Sequence, residues 1–196
     1  MAGKKQIRNS KLNNSLRIIG GLWRGRKFSF PSAPGLRPTS DRIRETLFNW
    51  LNPVIREANC LDLFAGSGAL SLEALSRGAS HVTMIDNSRD VMHSLHQYLS
   101  SLECNKATLL NVDTIRWLNQ SPDHAPFNIV FLDPPFLQDL ISPCCKLLED
   151  NRFLMDGSYI YIESEHPASF VVPDTWLLYR SKIAGDVAYS LYIKQV

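Results

Sequence analysis

Apolar residues along this 196-residue chain recur with two periods, and the change from one to the other divides it into elements. The run Phe127 to Leu132 is almost continuously apolar and stops at Asp133-Pro134-Pro135-Phe136, as expected of a buried strand ended by proline. Short apolar runs opening at Cys60, His81, Ala107 and Ser158 read the same way. Between them the spacing turns helical. Ile43, Leu47, Phe48 and Leu51 follow the capping residues Thr39-Ser40-Asp41, and further helices are predicted near Ala69, over about Asp90 to Leu102, around Trp117 and Leu118, and over about Leu140 to Leu148. Strand alternating with helix predicts an α/β fold built on a mostly parallel, Rossmann-like sheet. The period changes again at the end, where Trp176 to Ile183 and Val187 to Ile193 alternate around Ala184-Gly185-Asp186, a hairpin. At the front, Leu16 to Phe30 sets β-branched and aromatic residues on both sides of glycines, a second small β-hairpin. The expected organisation is a flexible basic tail over 1–15, a hairpin and proline-rich linker over 16–38, and one α/β domain over 39–196.

Composition narrows the class. Hydrophobic residues at 44% with 20% charged are ordinary for a globular protein, and no apolar run approaches the ~20 residues of a membrane span. The N-terminus lacks the apolar centre of a signal peptide, so a cytoplasmic protein with no membrane partner is expected, and a monomer because no long apolar segment is left over. Cys60, Cys104, Cys144 and Cys145 have no metal-ligand spacing, and no metal is expected. The net charge of +2 conceals an asymmetry: residues 1–50 hold eleven Lys and Arg against Asp41 and Glu45. A basic front on an acidic remainder points to a polyanion. Trp23 beside Arg24, Arg26 and Lys27 combines a stacking ring with cations, and Arg37, Arg42 and Arg44 extend the basic run. Arg42 and Arg44 oppose the helix dipole in a first helical turn, which an anionic ligand, or an ion pair with Asp41 or Glu45, would justify.

Candidate chemistry gathers at strand ends. Cys60 to Leu75 reads as strand, glycine turn and helix, with Gly66 and Gly68 letting backbone approach a ligand. A dinucleotide site expects glycine or alanine at position 71, which is Ser71, and Asp62 would repel a pyrophosphate; it suits an ammonium or sulfonium instead. Asp86 lies at the offset where such folds place the acid that binds ribose, and Asp113, ending the next strand, could accept from an adenine amine. Asp133 and the carbonyl of Pro134 are two acceptors suited to the two N–H bonds of a planar exocyclic amine, with Phe136 able to stack on the base. Methylation of an exocyclic amine on a nucleobase, adenine N6 in DNA or RNA included, or of another amide or amine, a non-catalytic RNA-binding or ribosome-assembly factor and a dehydrogenase are the readings to separate, the last disfavoured by Ser71 and Asp62.

With these residues in place, the chain resembles the class I S-adenosylmethionine-dependent methyltransferases, and among them the RsmD family of bacterial 16S rRNA guanine-N2 methyltransferases. The likeness runs from Arg17 to Tyr192 and is carried by 17–27, 35–51, 62–70 and Asp133 to Phe136. It implies a seven-stranded, mostly parallel sheet with an antiparallel last strand, S-adenosyl-L-methionine as cofactor, and 16S rRNA in an assembling or assembled small ribosomal subunit as partner, the family's target being guanine 966. By position it assigns Asp62, Phe64, Ala65, Gly66, Ser67 and Gly68 to the methionine part of the cofactor, Asp86 to the ribose and Asp113 to the adenine. Thr39, Asn87, Ser88 and Thr114 complete that set. Asp133, Pro134, Pro135 and Phe136 would hold the guanine, and Trp23, Arg24, Arg26, Lys27, Arg37, Arg42 and Arg44 the RNA. Relatives often carry glutamate where this chain has Asp86.

Overall fold

The computed structural model describes residues 14–30, 40–120, 125–167 and 169–196. The tail expected over 1–15 is thus described only at its last two residues, and the linker, Arg37 and Thr39 lie outside the described residues. Two strands, β1 (Asn14–Arg17) and β2 (Lys27–Phe30), pair antiparallel as the first hairpin. They are followed by α1 (Asp41–Leu51), β3 (Asn59–Asp62), α2 (Ala69–Ser76), β4 (His81–Asp86), α3 (Arg89–Ser101), β5 (Ala107–Asn111), α4 (Thr114–Leu118), β6 (Phe127–Leu132), α5 (Ile141–Asp150), β7 (Leu154–Glu165), β8 (Trp176–Ala184) and β9 (Val187–Lys194). The last seven strands form one sheet in the order β5-β4-β3-β6-β7-β9-β8. All its pairings are parallel except those of β9, which runs antiparallel to both neighbours. The Rossmann-like sheet with an antiparallel last strand is therefore present.

Side-chain alternation in the central strands fills a core on each face. Cys60, Ile129, Phe131 and Tyr161 point into the layer that holds α1, α2 and α3. Leu61, Val130, Leu132 and Ile162 point into the layer of α4 and α5. Strand β7 begins four residues before the apolar run that opens at Ser158, and the chain absorbs Asp156 and Gly157 as a register shift opposite Phe127 and Ile129. The Ser158 hydroxyl holds that irregularity by donating to the Phe127 carbonyl at 2.7 Å.

The two-stranded sheet shares the first of these cores through Leu16, Ile18 and Phe28. Its connection is bolted to α2. Glu73, fully buried, accepts from the backbone N–H of Ile19 and Gly20 at 2.8 Å each and from Arg77 Nε at 2.7 Å. Ser76 Oγ donates to the Gly20 carbonyl at 2.6 Å and accepts from the Trp23 N–H at 2.9 Å. Gly21 sits at φ +73°, where a Cβ would lie 1.8 Å from the Ser76 carbonyl oxygen, so only glycine lets these backbones meet.

The same network corrects one assignment. Arg44, grouped by sequence with the RNA-facing cations, is only 1% exposed. Its guanidinium donates to Asp41 Oδ1 at 2.6 Å and to the Arg17 carbonyl at 2.9 Å, and lies 3.6 Å from Glu73. It balances the buried Glu73 charge and braces β1 against α1, so the ion-pair alternative holds for Arg44. Arg42, two residues earlier, points to solvent.

Candidate functional site

A cleft of about 870 Å³ opens at the C-terminal ends of β3, β4, β5, β6 and β7, beside the switch where the chain crosses from the β5 side of the sheet to β6. Ligands bind at that edge of open α/β sheets because the loops there diverge and leave a crevice. Of the cofactor and base residues singled out by sequence, Asp62, Phe64, Ala65, Gly66, Ser67, Asp86, Asn87, Ser88, Asp113, Thr114 and Asp133 to Phe136 line this one cavity. Gly68 does not line it. It caps α2 at φ +78°, and a Cβ there would fall 2.6 Å from Leu95 Cδ2, so this glycine lets the turn close against α3.

Asp62 ends β3 and is 1% exposed. Ser71 Oγ donates to its Oδ2 at 2.6 Å, while its Oδ1 is buried without a hydrogen-bond partner among the described residues. Burial pushes the carboxyl up to about 6, partly offset by the Ser71 hydroxyl. The serine that departs from the dinucleotide pattern therefore orients the Asp62 carboxyl at the cleft wall.

Asp86 ends β4 and accepts from the Gly66 N–H at 3.0 Å through Oδ2 and from the Ser88 N–H at 2.8 Å through Oδ1. It thus ties the glycine turn to the start of α3 while remaining at the cleft wall. Ser88 is the N-cap of α3, its hydroxyl accepting from the Val91 N–H. Asp113 caps α4 in the same way, accepting from the Arg116 N–H at 2.8 Å, and stays exposed at the rim. Thr114, buried behind it, donates to the Leu63 carbonyl at 2.6 Å and locks α4 to the end of β3. Four residues placed in the cofactor set, Asp86, Ser88, Asp113 and Thr114, thus also build the walls they belong to.

Asp133 to Phe136 leave β6 with Asp133 and Phe136 half-buried and Pro134 buried. The loop continues through Leu137 and Asp139, both at positive φ, before α5 begins. Three parts of the cleft escaped the sequence reading. Ser40 and Ile43 enter it from the start of α1, the β8–β9 turn closes one side with Ala184, Gly185 and Asp186, and Glu163 projects from β7. Glu163 is 5% exposed and accepts from the Tyr161 hydroxyl at 2.7 Å through Oε2. Its acidic side chain inside an apolar strand was the available signal.

Outside the cleft, the basic residues of the first hairpin stand around its connection. Arg24, Arg26 and Lys27 are exposed and Trp23 is partly covered by the core. The Arg26 guanidinium donates to the Ser101 carbonyl at the end of α3.

Among known proteins, the family model described as Conserved hypothetical protein 95 matches residues 16–193. The Escherichia coli (strain K12) protein named Ribosomal RNA small subunit methyltransferase D is 50% identical over 188 residues, covering 95% of this chain and 94% of that one. Its namesake from Haemophilus influenzae is 42% identical over 190 residues, covering 96% and 98%. The solved structure of yhhF from Escherichia coli superposes with a TM-score of 0.86 at 49% identity, covering 93% of this chain and 99% of that one. At 17% identity, TrmN from Thermus thermophilus shares the fold alone, with a TM-score of 0.66 over 83% of this chain and 52% of that one. Together with the strand order and the cleft, these matches place the sheet in the Rossmann-like class I methyltransferase fold, and the chain belongs to the RsmD family.

Proposed function

We propose that this protein transfers a methyl group from S-adenosyl-L-methionine to the exocyclic N2 of a guanine in 16S rRNA, at position 966, within an assembling or assembled small ribosomal subunit. The observation that carries the reading is that the orphaned Asp62 oxygen and the Asp133 to Phe136 loop, distant in sequence, line one cleft. Two relatives that match nearly the whole chain, at 50% and 42% identity, carry the name of a small-subunit rRNA methyltransferase. Action as a cytoplasmic monomer is part of the proposal; no helix among the described residues is long and apolar enough to cross a membrane.

The residues present fit the cofactor. A buried carboxylate oxygen lacking a donor matches the α-ammonium of its methionine part, and Asp86, with both oxygens oriented by backbone donors, retains lone pairs for ribose hydroxyls. Asp113 and the backbone beside Thr114 stand at the far end for the adenine. When bound, the cofactor would supply the methyl group on a sulfonium sulfur, a leaving group that needs no activation by the protein.

The protein's part is to make N2 nucleophilic and to aim it. The amine lone pair is delocalised into the base, and two acceptors on its two N–H bonds draw it out of that plane. Asp133 and the Pro134 carbonyl supply them, the latter on a backbone whose φ is held by proline. Phe136 stacks on the base, which must leave its RNA stack to enter. Catalysis is then chiefly orientation together with acceptors placed where positive charge develops on N2.

The test is transfer of labelled methyl from S-adenosyl-L-methionine to small ribosomal subunits from cells lacking the enzyme, followed by digestion to nucleosides. Label in N2-methylguanosine is expected. Cofactor binding with no label in any RNA would overturn the substrate and leave the cofactor site standing.

A further inference from the structure

We propose that the outer strand β8 is a second RNA-binding surface, on which Tyr179, Arg180 and Lys182 hold the RNA strand flanking a target nucleotide seated in the cleft. The inference rests on the function proposed above and adds to it a track for the substrate at the sheet edge opposite β5.

Strand β8 ends the sheet, and its residues from Leu177 to Ile183 are all exposed. Pairing with β9 sets Arg180 opposite Leu191 and Lys182 opposite Tyr189, both members of the core under α1, α2 and α3. Directly opposed residues share a face, so the two cations stand on that face, just past the point where Trp50 of α1 stacks on Tyr189 at 5.6 Å. Regular alternation would turn Tyr179 away from Arg180. The register shift between Leu178 and Arg180 brings it back to the same face, where it meets Tyr159 edge-on at 6.2 Å and carries the Arg180 guanidinium over its ring at 5.0 Å. The strand leads to the cleft, because it runs into the turn whose Ala184, Gly185 and Asp186 line that cavity. At the rise of a strand, Lys182 stands about 7 Å and Arg180 about 13 Å from this rim.

Charge decides the occupant. Neither β8 nor β9 contains an acid, and among the described residues neither Arg180 nor Lys182 is in an ion pair, the rim acids Asp186 and Glu165 included. A polyanion supplies the charge that the strand lacks. Tyr179, 45% exposed, adds a ring on which a base can stack, and cations beside an aromatic face are the make-up of a single-strand binding surface. A second copy of this chain is the rival occupant of an open edge. It is disfavoured because antiparallel pairing of β8 with itself would bring the two cations against their own counterparts, and because cations and bulges keep edge strands from pairing.

The experiment places a photoreactive side chain on the strand, Tyr179→p-azidophenylalanine, and irradiates the protein bound to small ribosomal subunits from cells lacking the enzyme. Crosslinks are expected in 16S rRNA within about five nucleotides of the methylated base, the reach set by 13 Å of strand at about 3.4 Å per stacked nucleotide. Crosslinks to a ribosomal protein, to a second copy of the chain or to distant nucleotides, or none at all, overturn the proposal. Alongside it, the double variant Arg180→Ala, Lys182→Ala is expected to raise KM for subunits about tenfold with kcat within about threefold. Its log–log salt slope for RNA binding should fall by about two while calorimetric affinity for S-adenosyl-L-methionine stays at the wild-type value, a split that a merely structural role would not produce. The exchanged pair Arg180→Lys, Lys182→Arg should keep the wild-type KM and slope. Unchanged KM and slope in the double alanine variant overturn the proposal, and new oligomers in that variant would then assign the cations to keeping copies apart. If the double variant does not fold, the crosslink decides alone. Any of these failures with normal wild-type methyl transfer leaves the proposed function intact. No wild-type label in any RNA overturns both.

Discussion

Replacing Asp62 by asparagine should make the protein more stable and less able to bind its cofactor. Burial raises the Asp62 carboxyl from 3.8 to about 6. That shift of roughly two units corresponds to about 3 kcal/mol held against the ionised form. The sign follows from proton counts. With the folded value above the unfolded one, the folded chain binds more protons between about pH 4 and pH 6, so stability falls as pH rises through that window. Asparagine keeps the shape and lets Ser71 donate to its oxygen, but it carries no charge to desolvate. Its NH₂, facing the cleft in place of the unpartnered oxygen, returns part of the gain at about 1 kcal/mol or more. Urea unfolding should therefore show the variant about 1–2 kcal/mol more stable than wild type at pH 8, with the difference falling as pH drops and reversing by about pH 4, where the desolvation gain is gone and the cost of the NH₂ remains. Calorimetric titration at pH 8 should show S-adenosyl-L-methionine bound more weakly by about 2–4 kcal/mol, roughly 30- to 1,000-fold, because the buried ammonium loses its counter-charge. Wild-type affinity should rise with pH through about 6 as Asp62 ionises. Equal stabilities at pH 8, or cofactor affinity within threefold of wild type, would refute the reasoning.

Three other outcomes are expected. Asp133→Ala should abolish methyl transfer while calorimetry finds cofactor affinity within a few-fold of wild type, since the proposed role of the residue is toward the base and not the cofactor. Glu73→Ala should cost about 3–5 kcal/mol in urea unfolding, because it strands the buried Arg44 guanidinium and the N–H groups of Ile19 and Gly20; limited proteolysis should then cut the β1–β2 connection first. Arg24→Ala and Lys27→Ala should each weaken RNA binding and reduce its dependence on salt by about one unit of log–log slope, read by filter binding across a salt series.

The order of elements was legible because periodicity, capping residues and turn glycines act over a few residues. The apolar runs at Cys60, His81, Ala107 and Phe127 became β3 to β6 with their acids at the ends, and Ser40 and Ser88 became caps. Hence most of the residues that line the cleft, at or just beyond the close of a strand, could be named before any coordinates. Other features depend on which strands become neighbours. Arg44 reads as a surface cation at a helix start, and only the docking of β1 and α2 against α1 encloses it with Glu73. Glu163 reads as the end of one more strand until β7 pairs with β6 in the register that sets it beside Asp133. Ser71 reads as a departure from a pattern until its hydroxyl is seen to orient Asp62, nine residues away. Short-range preferences determine where each strand and helix starts and stops. The partners of a buried charge are set by contacts between segments tens of residues apart, and those exist only once the sheet has chosen its order.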